Sequence, residues 1–355
     1  MVNKNDGKKI GVGMIGTGNI ADLHSIGYIK NEHSKIVAVA DVRESIAEEK
    51  RKAFGAEKSY SDYNQLLRDE SVDAVDVCVP NFLHSKIAIA AAEAGKHVLV
   101  EKPMAITIAE CDEMISAARR NGVKLMVGHN QIFYPPHQET RRLIQEEIGR
   151  PILLLTRLHN GFRQNKGWRA DRSSVGGGFF IEACVHRLYL ARYLIGEPKT
   201  IFCRMTKIFP DTVAEDIAQV TMDFENRIQG SLIANEGGPV PLWDDRTEVI
   251  GSEGLIIVNG FEEQAIAGPP LMFYKNGRWM YYVKAGHPAT VGDRPLGNLE
   301  IEADFLKTYA HVTSHFVDSI FEDKQPIVTG EDGKRTMEIV QACYDSAKLE
   351  KPISI

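Results

Sequence analysis

Between Lys9 and Gly128 short apolar runs alternate with longer amphipathic ones. Ile10–Ile15, Ile36–Ala40, Ala74–Val79, His97–Val100 and Lys124–Val127 predict strands, while Asn19–Asn31, Glu44–Phe54, Asp62–Asp69, His84–Ala94 and Ile108–Asn121 predict helices. Short apolar strands, each followed by a helix, predict a parallel sheet covered on both faces. After Gly128 the rhythm changes. Phe133-Tyr134-Pro135-Pro136 breaks the alternation, because a proline pair cannot continue a helix. A helix is then expected over Gln138–Glu147. Strand-like runs follow at Ile152–Leu158, Thr200–Ile208, Ile217–Phe224, Arg227–Ala234, Arg246–Ile250 and Leu255–Val258. Two helices, Phe305–Phe321 and Lys334–Lys348, close the chain. The pattern predicts an α/β protein of two domains: residues 1–129 with a parallel sheet, and residues 130–355 with a large, mostly antiparallel open sheet.

The 355 residues are enough for two such domains, and 43% hydrophobic with 25% charged positions is an ordinary globular balance. A net charge of −6 argues against a nucleic-acid partner, which needs a basic face. No apolar run reaches the length of a membrane span. Met1-Val2-Asn3-Lys4-Asn5-Asp6 is too polar for a secretory leader, so a cytoplasmic location is expected. Cys78, Cys111, Cys184, Cys203 and Cys343 are scattered, odd in number and without a Cys-x-x-Cys pair, as expected of free thiols in a reducing compartment.

Candidate chemistry begins at the end of the first strand. Gly16-Thr17-Gly18-Asn19-Ile20-Ala21 has the spacing of a dinucleotide-binding turn, with a small alanine where a third glycine often stands. Gly16 suits the tight turn, and Gly18 lets backbone amides approach a pyrophosphate. The helix starting near Asn19 points its free amides and positive dipole end the same way. Asp41 stands twenty residues beyond Ala21, where a carboxylate accepts hydrogen bonds from the adenosine ribose and repels a 2′-phosphate. NAD is therefore expected ahead of NADP, with Arg43 offsetting part of the repulsion.

The strand His97–Val100 runs straight into Glu101-Lys102-Pro103. A lysine just past a strand end in such a fold lies where a nicotinamide ring would sit, and can hold a substrate oxygen against it. In the second domain Gly176-Gly177-Gly178 leads to Glu182 and His186, four apart, a spacing that stacks both side chains on one face of a helix. A histidine can take a proton from an alcohol near neutral pH. A plain surface Glu–His pair has the same spacing, and local sequence leaves both readings open. His129, His137 and His159 lack ligand spacing with Cys or acidic partners, so no metal is expected.

Taken together, Gly16–Ala21, Pro80-Asn81-Phe82-Leu83-His84, Glu101-Lys102-Pro103, Trp168-Arg169-Ala170-Asp171, the triple glycine followed by an acid and a histidine, and the tail Pro326–Gly333 resemble the Gfo/Idh/MocA oxidoreductases. That family is named for glucose-fructose oxidoreductase, inositol dehydrogenase and a rhizopine-catabolism protein. The resemblance runs from about Lys9 to the C-terminus. It implies a Rossmann NAD(P)-binding domain over 1–129 and a substrate-binding and oligomerisation domain over 130–355. It also implies hydride transfer between the nicotinamide and a secondary hydroxyl or ketone of a sugar, inositol or related polyol, in a homodimer or homotetramer. Carried over by motif, Lys102 polarises the reacting oxygen, His186 is acid and base, and Glu182 orients the histidine or binds a hydroxyl. Cofactor contacts are expected from Gly16, Thr17, Gly18, Asn19, Ile20, Asp41, Val42, Arg43, Pro80, Asn81, His84, Glu101, Lys102, Asn130, Trp168 and Arg169. Substrate contacts are expected from Lys102, Tyr134, Arg163, Asp171, Glu182 and His186, with the loops 158–171 and 236–244 shaping the pocket.

The sequence departs from the family pattern in four places. Glu182 stands for the usual aspartate, Cys184 for a common glycine, Tyr189 for an acid, and Gln131-Ile132 for an arginine pair. These changes bear on the substrate more than on the reaction. Two other readings share the same motifs. One is an NAD-dependent glycoside hydrolase that oxidises, eliminates and re-reduces. The other is a non-catalytic regulator that senses dinucleotide, against which the complete Lys102, Glu182 and His186 set speaks.

Overall fold

The computed structural model describes residues 9–163, 165–239, 243–260, 268–284, 290–291, 294–295 and 298–355. The polar N-terminal segment through Lys8, and positions 164 and 240–242 of the two pocket loops, lie outside the described residues. The chain runs β1 (Ile10–Ile15), α1 (Asn19–Lys30), β2 (Ser34–Ala40), α2 (Glu44–Phe54), β3 (Lys58–Tyr60), α3 (Tyr63–Leu67), β4 (Ala74–Val77), α4 (Asn81–Glu93), β5 (His97–Val100), α5 (Ile108–Asn121) and β6 (Leu125–Val127). It continues with α6 (Pro135–Glu146), β7 (Pro151–Asn160), α7 (Arg172–Val175), α8 (Val185–Ile195), β8 (Pro198–Thr206), β9 (Ile217–Phe224), β10 (Gln229–Glu236), β11 (Trp243–Gly251), β12 (Gly254–Val258), β13 (Leu271–Lys275) and β14 (Arg278–Lys284). It ends with β15 (Thr290–Val291), β16 (Arg294–Pro295), β17 (Asn298–Ile301), α9 (Lys307–Phe321), α10 (Gly330–Leu349) and β18 (Ile353–Ser354).

Two compact units emerge. The first holds the residues up to Asn130 together with Leu306–Met337; the second holds Gln131–Phe305 and Glu338–Ile355. The second stretch is therefore interrupted, since Leu306–Met337 returns to the first unit, where α9 packs along α1.

The first unit is built on a six-stranded parallel sheet of order β3-β2-β1-β4-β5-β6. Every residue of β1, β4 and β6 is buried, so both faces are covered, as their unbroken apolar runs require. The chain leaves β1 toward β2 on one side and pairs it with β4 on the other. That reversal opens a crevice beyond the carboxyl ends of the strands, where ligands bind in such sheets. α5 starts in a capping box between Thr107 and Glu110 and stops at the left-handed Gly122. α4 starts at Asn81, three residues before the expected His84, because Pro80 presets the entry.

The second unit carries a ten-stranded sheet of order β17-β14-β13-β12-β11-β7-β10-β9-β8-β18. It is mixed and mostly antiparallel; only β7–β10 and β14–β17 run parallel among the described pairs. Pro135 and Pro136 open α6 rather than breaking the chain, because the first helical turn needs no N–H donors. β13 and β14 form a hairpin that the hydrophobic pattern did not reveal. Its turn, Asn276-Gly277, has positive φ at both residues (52° and 75°), the geometry that two-residue hairpins favour. Leu154, Leu158, Leu232, Val249 and Ile256 are buried on the helix-covered face. Their alternates Leu153, Leu155, Ile233, Leu255 and Ile257 remain partly or largely exposed on the other. All five cysteines are buried and free. Among the described residues no helix is long and apolar enough to cross a membrane.

Candidate active site

In the first unit the expected site residues fall beyond the carboxyl ends of the parallel strands. Gly16 follows β1, Asp41 follows β2, Pro80 lies past β4, Glu101 follows β5 and Asn130 lies past β6. Gly16 has φ +83°, and a Cβ there would lie 2.5 Å from the Cys78 carbonyl oxygen, so the turn needs glycine on both counts. Gly18 differs: a Cβ there would meet nothing within 4 Å. Gly18 is the N-cap of α1, and no side chain caps that helix. An uncapped helix start facing open space is a cradle for phosphate.

Thr17 joins this turn to Asp41. Its N–H (3.1 Å) and Oγ1 (3.0 Å) both donate to Asp41 Oδ2. Arg43 donates to the same carboxylate, from N and Nε to Oδ1 (3.0 Å each) and from Nη2 to Oδ2 (3.2 Å). Burial pushes the Asp41 carboxyl up, but the bonds from Arg43 and Thr17 outweigh it and hold the group below the usual carboxylate range. The Arg43 side chain is 62% exposed, and Val42 is 88% exposed. An ionised carboxylate at the strand end, beside an open amide cradle, fits a dinucleotide whose adenosine ribose carries free hydroxyls.

Lys102 directly follows Glu101, whose Oε2 accepts the lysine backbone N–H at 3.1 Å, and the Lys102–Pro103 peptide is cis. His84 was expected to border the cofactor. It is instead 1% exposed, with Nδ1 2.7 Å from the Pro103 carbonyl oxygen and Nε2 2.9 Å from that of Val79. Burial holds its pKa below the ordinary value, so the ring serves to tie the Lys102–Pro103 loop to α4. Asn130 is also internal: fully buried, it donates from Nδ2 to Thr308 Oγ1 at 2.9 Å. Asn81 is 4% exposed in the first turn of α4.

In the second unit the triple glycine runs into a π-helical turn, Phe180–Cys184, and then into α8. One oxygen of Glu215, Oε1, accepts from Gly178 N (3.0 Å), Phe180 N (3.2 Å) and the Tyr344 hydroxyl (2.6 Å). That carboxylate anchors the entry to the helix, and a Cβ at Gly178 would press to 2.8 Å from the Glu215 carbonyl oxygen. Glu182 sits inside the π turn, 6% exposed, and accepts from Arg169 Nη2 at 2.9 Å. The Arg169 guanidinium lies 4.2 Å from the centroid of the Trp168 ring. His186 is the only residue of 181–190 that is not buried. A wide π turn between the two residues changes the simple α-helical stacking read from their spacing, and Glu182 turns to Arg169. Glu182, Arg169, Phe179, Glu215 and Glu236 line one cleft. Sequence reading missed Glu215 and Glu236; the signals were an acid pair before β9 and an acid closing β10.

The other three substrate candidates have these surroundings. Tyr134 is 1% exposed, packed edge-on against His137 and Phe305, with its hydroxyl donating to the Ala303 carbonyl at 3.4 Å. It belongs to the core of the second unit rather than to a pocket rim. Arg163 pairs with Asp211 (2.7 Å) and stacks 4.7 Å from the Phe209 centroid, apart from the residues lining the Glu182 cleft. Asp171 is the N-cap of α7, taking bonds from Ser173 and Ser174 that hold its pKa at about 2. Of the departures from the family pattern, Cys184 is fully buried, and burial pushes its thiol well up, which leaves a small inert filler. Tyr189 is buried beneath the Arg192 guanidinium.

Comparison with known proteins agrees with this geometry. Residues 10–129 match the oxidoreductase family NAD-binding Rossmann fold, and residues 141–355 match the C-terminal alpha/beta domain of the same family. The chain is 28% identical over 351 residues to myo-inositol 2-dehydrogenase of Thermotoga maritima, covering 97% of this chain and 98% of that one. It is 27% identical to the NAD(+) scyllo-inositol 2-dehydrogenase of Bacillus subtilis, over 96% and 95% of the two chains. The structure of levoglucosan dehydrogenase in complex with NADH and levoglucosan superposes with a TM-score of 0.86 at 26% identity, covering 98% of this chain and all of that one. The protein is thus an NAD-binding oxidoreductase, and it belongs to the Gfo/Idh/MocA family.

Proposed function

We propose that this chain is a dehydrogenase that moves a hydride between NAD and a secondary hydroxyl, or the corresponding ketone, of an inositol, sugar or related polyol. The observation that carries the reading is the row of strand ends in the first unit. The phosphate cradle, Asp41 and Lys102 all project from one edge of one parallel sheet. The inositol and levoglucosan dehydrogenases named above supply the substrate class.

The turn Gly16–Asn19 and the start of α1 would hold the pyrophosphate, and Asp41 the adenosine ribose. When bound, the nicotinamide accepts or returns the hydride. Lys102 holds and polarises the substrate oxygen. His186 takes the hydroxyl proton during oxidation and returns it during reduction. Arg169, Glu182 and Glu236 give the cleft of the second unit one guanidinium and two carboxylates, a set suited to several hydroxyls at once. The exposed face of the ten-stranded sheet carries an apolar row, Leu153-Ile250-Leu255-Tyr274-Trp279, running across paired strands. A second copy of the chain covers that row, giving a homo-oligomer.

The test is reduction of NAD and NADP by the purified protein against a panel of inositols, anhydrosugars, aldoses and sugar acids. Turnover with a polyol, lost in Lys102→Ala and in His186→Ala, is expected. Turnover that persists in both variants refutes the assignment of the reacting groups. Light scattering of the eluted protein checks the oligomer, and a monomer rejects that part.

A further inference from the structure

The first unit contains a buried charged cluster that the nucleotide turn does not use. His24, on α1, is 0% exposed and has a carboxylate at each ring nitrogen. Nδ1 lies 2.8 Å from Asp76 Oδ2 on β4, and Nε2 lies 3.1 Å from Glu101 Oε1 at the end of β5. The other oxygen of Glu101 accepts the backbone N–H of Lys102. Carboxylate oxygens only accept, and a neutral imidazole has a single N–H. Both nitrogens can donate only as an imidazolium, and the alternative, a neutral ring accepting from a protonated carboxyl, is disfavoured at Glu101, whose other oxygen already accepts the Lys102 N–H and whose carboxyl is held below the ordinary range. Without that cation two ionised carboxylates would be buried with too little compensation.

We propose that His24 is a positioning residue: clamped as an imidazolium between Asp76 and Glu101, it fixes Glu101, and through Glu101 the backbone from which the Lys102 side chain reaches the substrate. This rests on the role of Lys102 given above. The same clamp joins α1, whose first turn is the phosphate cradle, to the loop carrying the lysine. The groups around it leave the charge to these three residues and Lys102. Burial pulls His24 down, but Asp76 and Cys78 more than reverse this and raise it well above the ordinary value. Burial pushes Glu101 up, but His24 chiefly, with Lys102, brings it below the ordinary range. Tyr28 on α1, Cys78 just past β4 and Tyr309 on α9 are raised by burial, so all three stay neutral near pH 7, and burial lowers His84 on α4, whose ring nitrogens face two neutral carbonyls and no carboxylate.

His24, Asp76 and Cys78 also bring potential metal-ligand atoms within 4.8 Å of one another. Those atoms are already paired. Nδ1 is bonded to Asp76, and the Cys78 thiol donates to Asp76 Oδ1 at 3.3 Å. The ion clamp accounts for the second ring nitrogen, which a metal on Nδ1 does not.

Two measurements test the proposal. With the full-length protein labelled with 15N-histidine, one of the eleven imidazoles should keep both nitrogens protonated at pH 8, and that signal should vanish in His24→Gln. If every imidazole is neutral at pH 8, the proposal fails. On the polyol that the native protein oxidises, His24→Gln should lower kcat roughly 10- to 100-fold while the Kd for NAD stays within about threefold. The His24→Gln/Glu101→Gln double variant should be no worse than the weaker single one, since each change breaks the same contact. A His24→Gln protein with native kcat, or with a loss confined to NAD affinity, overturns the proposal. So does a stoichiometric metal in the purified protein that is lost in Cys78→Ser. If His24→Gln does not fold, Asp76→Asn replaces it under the same criteria. An active Lys102→Ala would instead overturn the role of the lysine, whereas an inactive Lys102→Ala beside a normal His24→Gln overturns the positioning role alone.

Discussion

Asp41→Asn separates the charge of this residue from its shape, and so tests how the first unit reads its cofactor. The asparagine can still accept from Thr17 N and Oγ1, which hold Asp41 at 3.1 and 3.0 Å, so the turn should survive. What disappears is a carboxylate only 8% exposed, held ionised by hydrogen bonds from Arg43 and Thr17. A 2′-phosphate placed at about 4 Å from that charge, at an effective dielectric of about 20, is repelled by about 4 kcal/mol per charge pair, which is a ceiling. Arg43 Nε sits 3.0 Å from the same carboxylate and is largely exposed, so it and the salt should remove about half. On the other side, NAD exchanges a charge-assisted bond from its ribose for a neutral one, at a cost of about 1 kcal/mol. The two effects add to about 3 kcal/mol, or roughly a 100-fold rise in the ratio of kcat/KM for NADP over NAD. Initial rates of NADH and NADPH formation at saturating polyol measure it. Adding Arg43→Ala to the variant should take part of the gain back, because the 2′-phosphate then loses the guanidinium that Asp41→Asn had freed. A change in the ratio below about threefold would show that Asp41 does not face the adenosine ribose, and the reasoning would fall.

Gly27→Ala should destabilise the protein, because a Cβ there overlaps Thr313 Oγ1 and the Ala310 carbonyl oxygen where α1 meets α9. Overpacking of about 1–3 kcal/mol exceeds the helix-propensity gain of about 1, so a Tm lower by a few degrees is expected in calorimetry, and an unchanged Tm would deny the close helix contact. Glu215→Ala should lower both Tm and kcat, since it strands Gly178 N, Phe180 N and the Tyr344 hydroxyl, while Glu215→Gln, which still accepts, should restore most of both. Equal losses in the two variants would mean that the carboxylate does more than anchor the helix entry. Stability should also depend on pH through the His24 clamp. His24 is raised above 6.5, so its contribution is complete below that value and is lost as pH rises through the raised pKa. Glu101 is lowered from 4.5, so its contribution is complete above that value and is lost as pH falls through the lowered pKa. The Tm of the native protein should therefore fall more steeply than that of His24→Gln as pH rises above 6.5 through the raised pKa of the ring, and parallel curves across the alkaline range would argue against a charged ring.

What the sequence discloses here is whatever repeats along a single element. Apolar runs such as Ile10–Ile15 and Ala74–Val77 announce buried parallel strands, and a glycine turn with an acid twenty residues beyond it announces the cradle and Asp41. Partnership between elements is not written in spacing. The ring nitrogens of His84 are taken up by carbonyls of Pro103 and Val79, so a histidine that motif position assigns to the cofactor is a structural tie. Glu215 meets Gly178 across 37 positions, and His24 meets Asp76 across 52. Tyr134 follows a similar course, because its neighbours in the sequence do not foretell the Phe305 ring that covers it. Even so, one physical clue to the His24 clamp was present. Asp76 lies within Ala74–Val77, a strand buried throughout, and a carboxylate in such a strand must find a donor or a cation. On a parallel strand covered on both faces, that partner has to come from a packed helix or a neighbouring strand end. α1 offers His24 one turn beyond the phosphate cradle, and β5 ends in Glu101. A lone acid inside an apolar strand therefore points to a buried partner that no linear motif contains, and in this protein that partner stands next to the residue that carries Lys102.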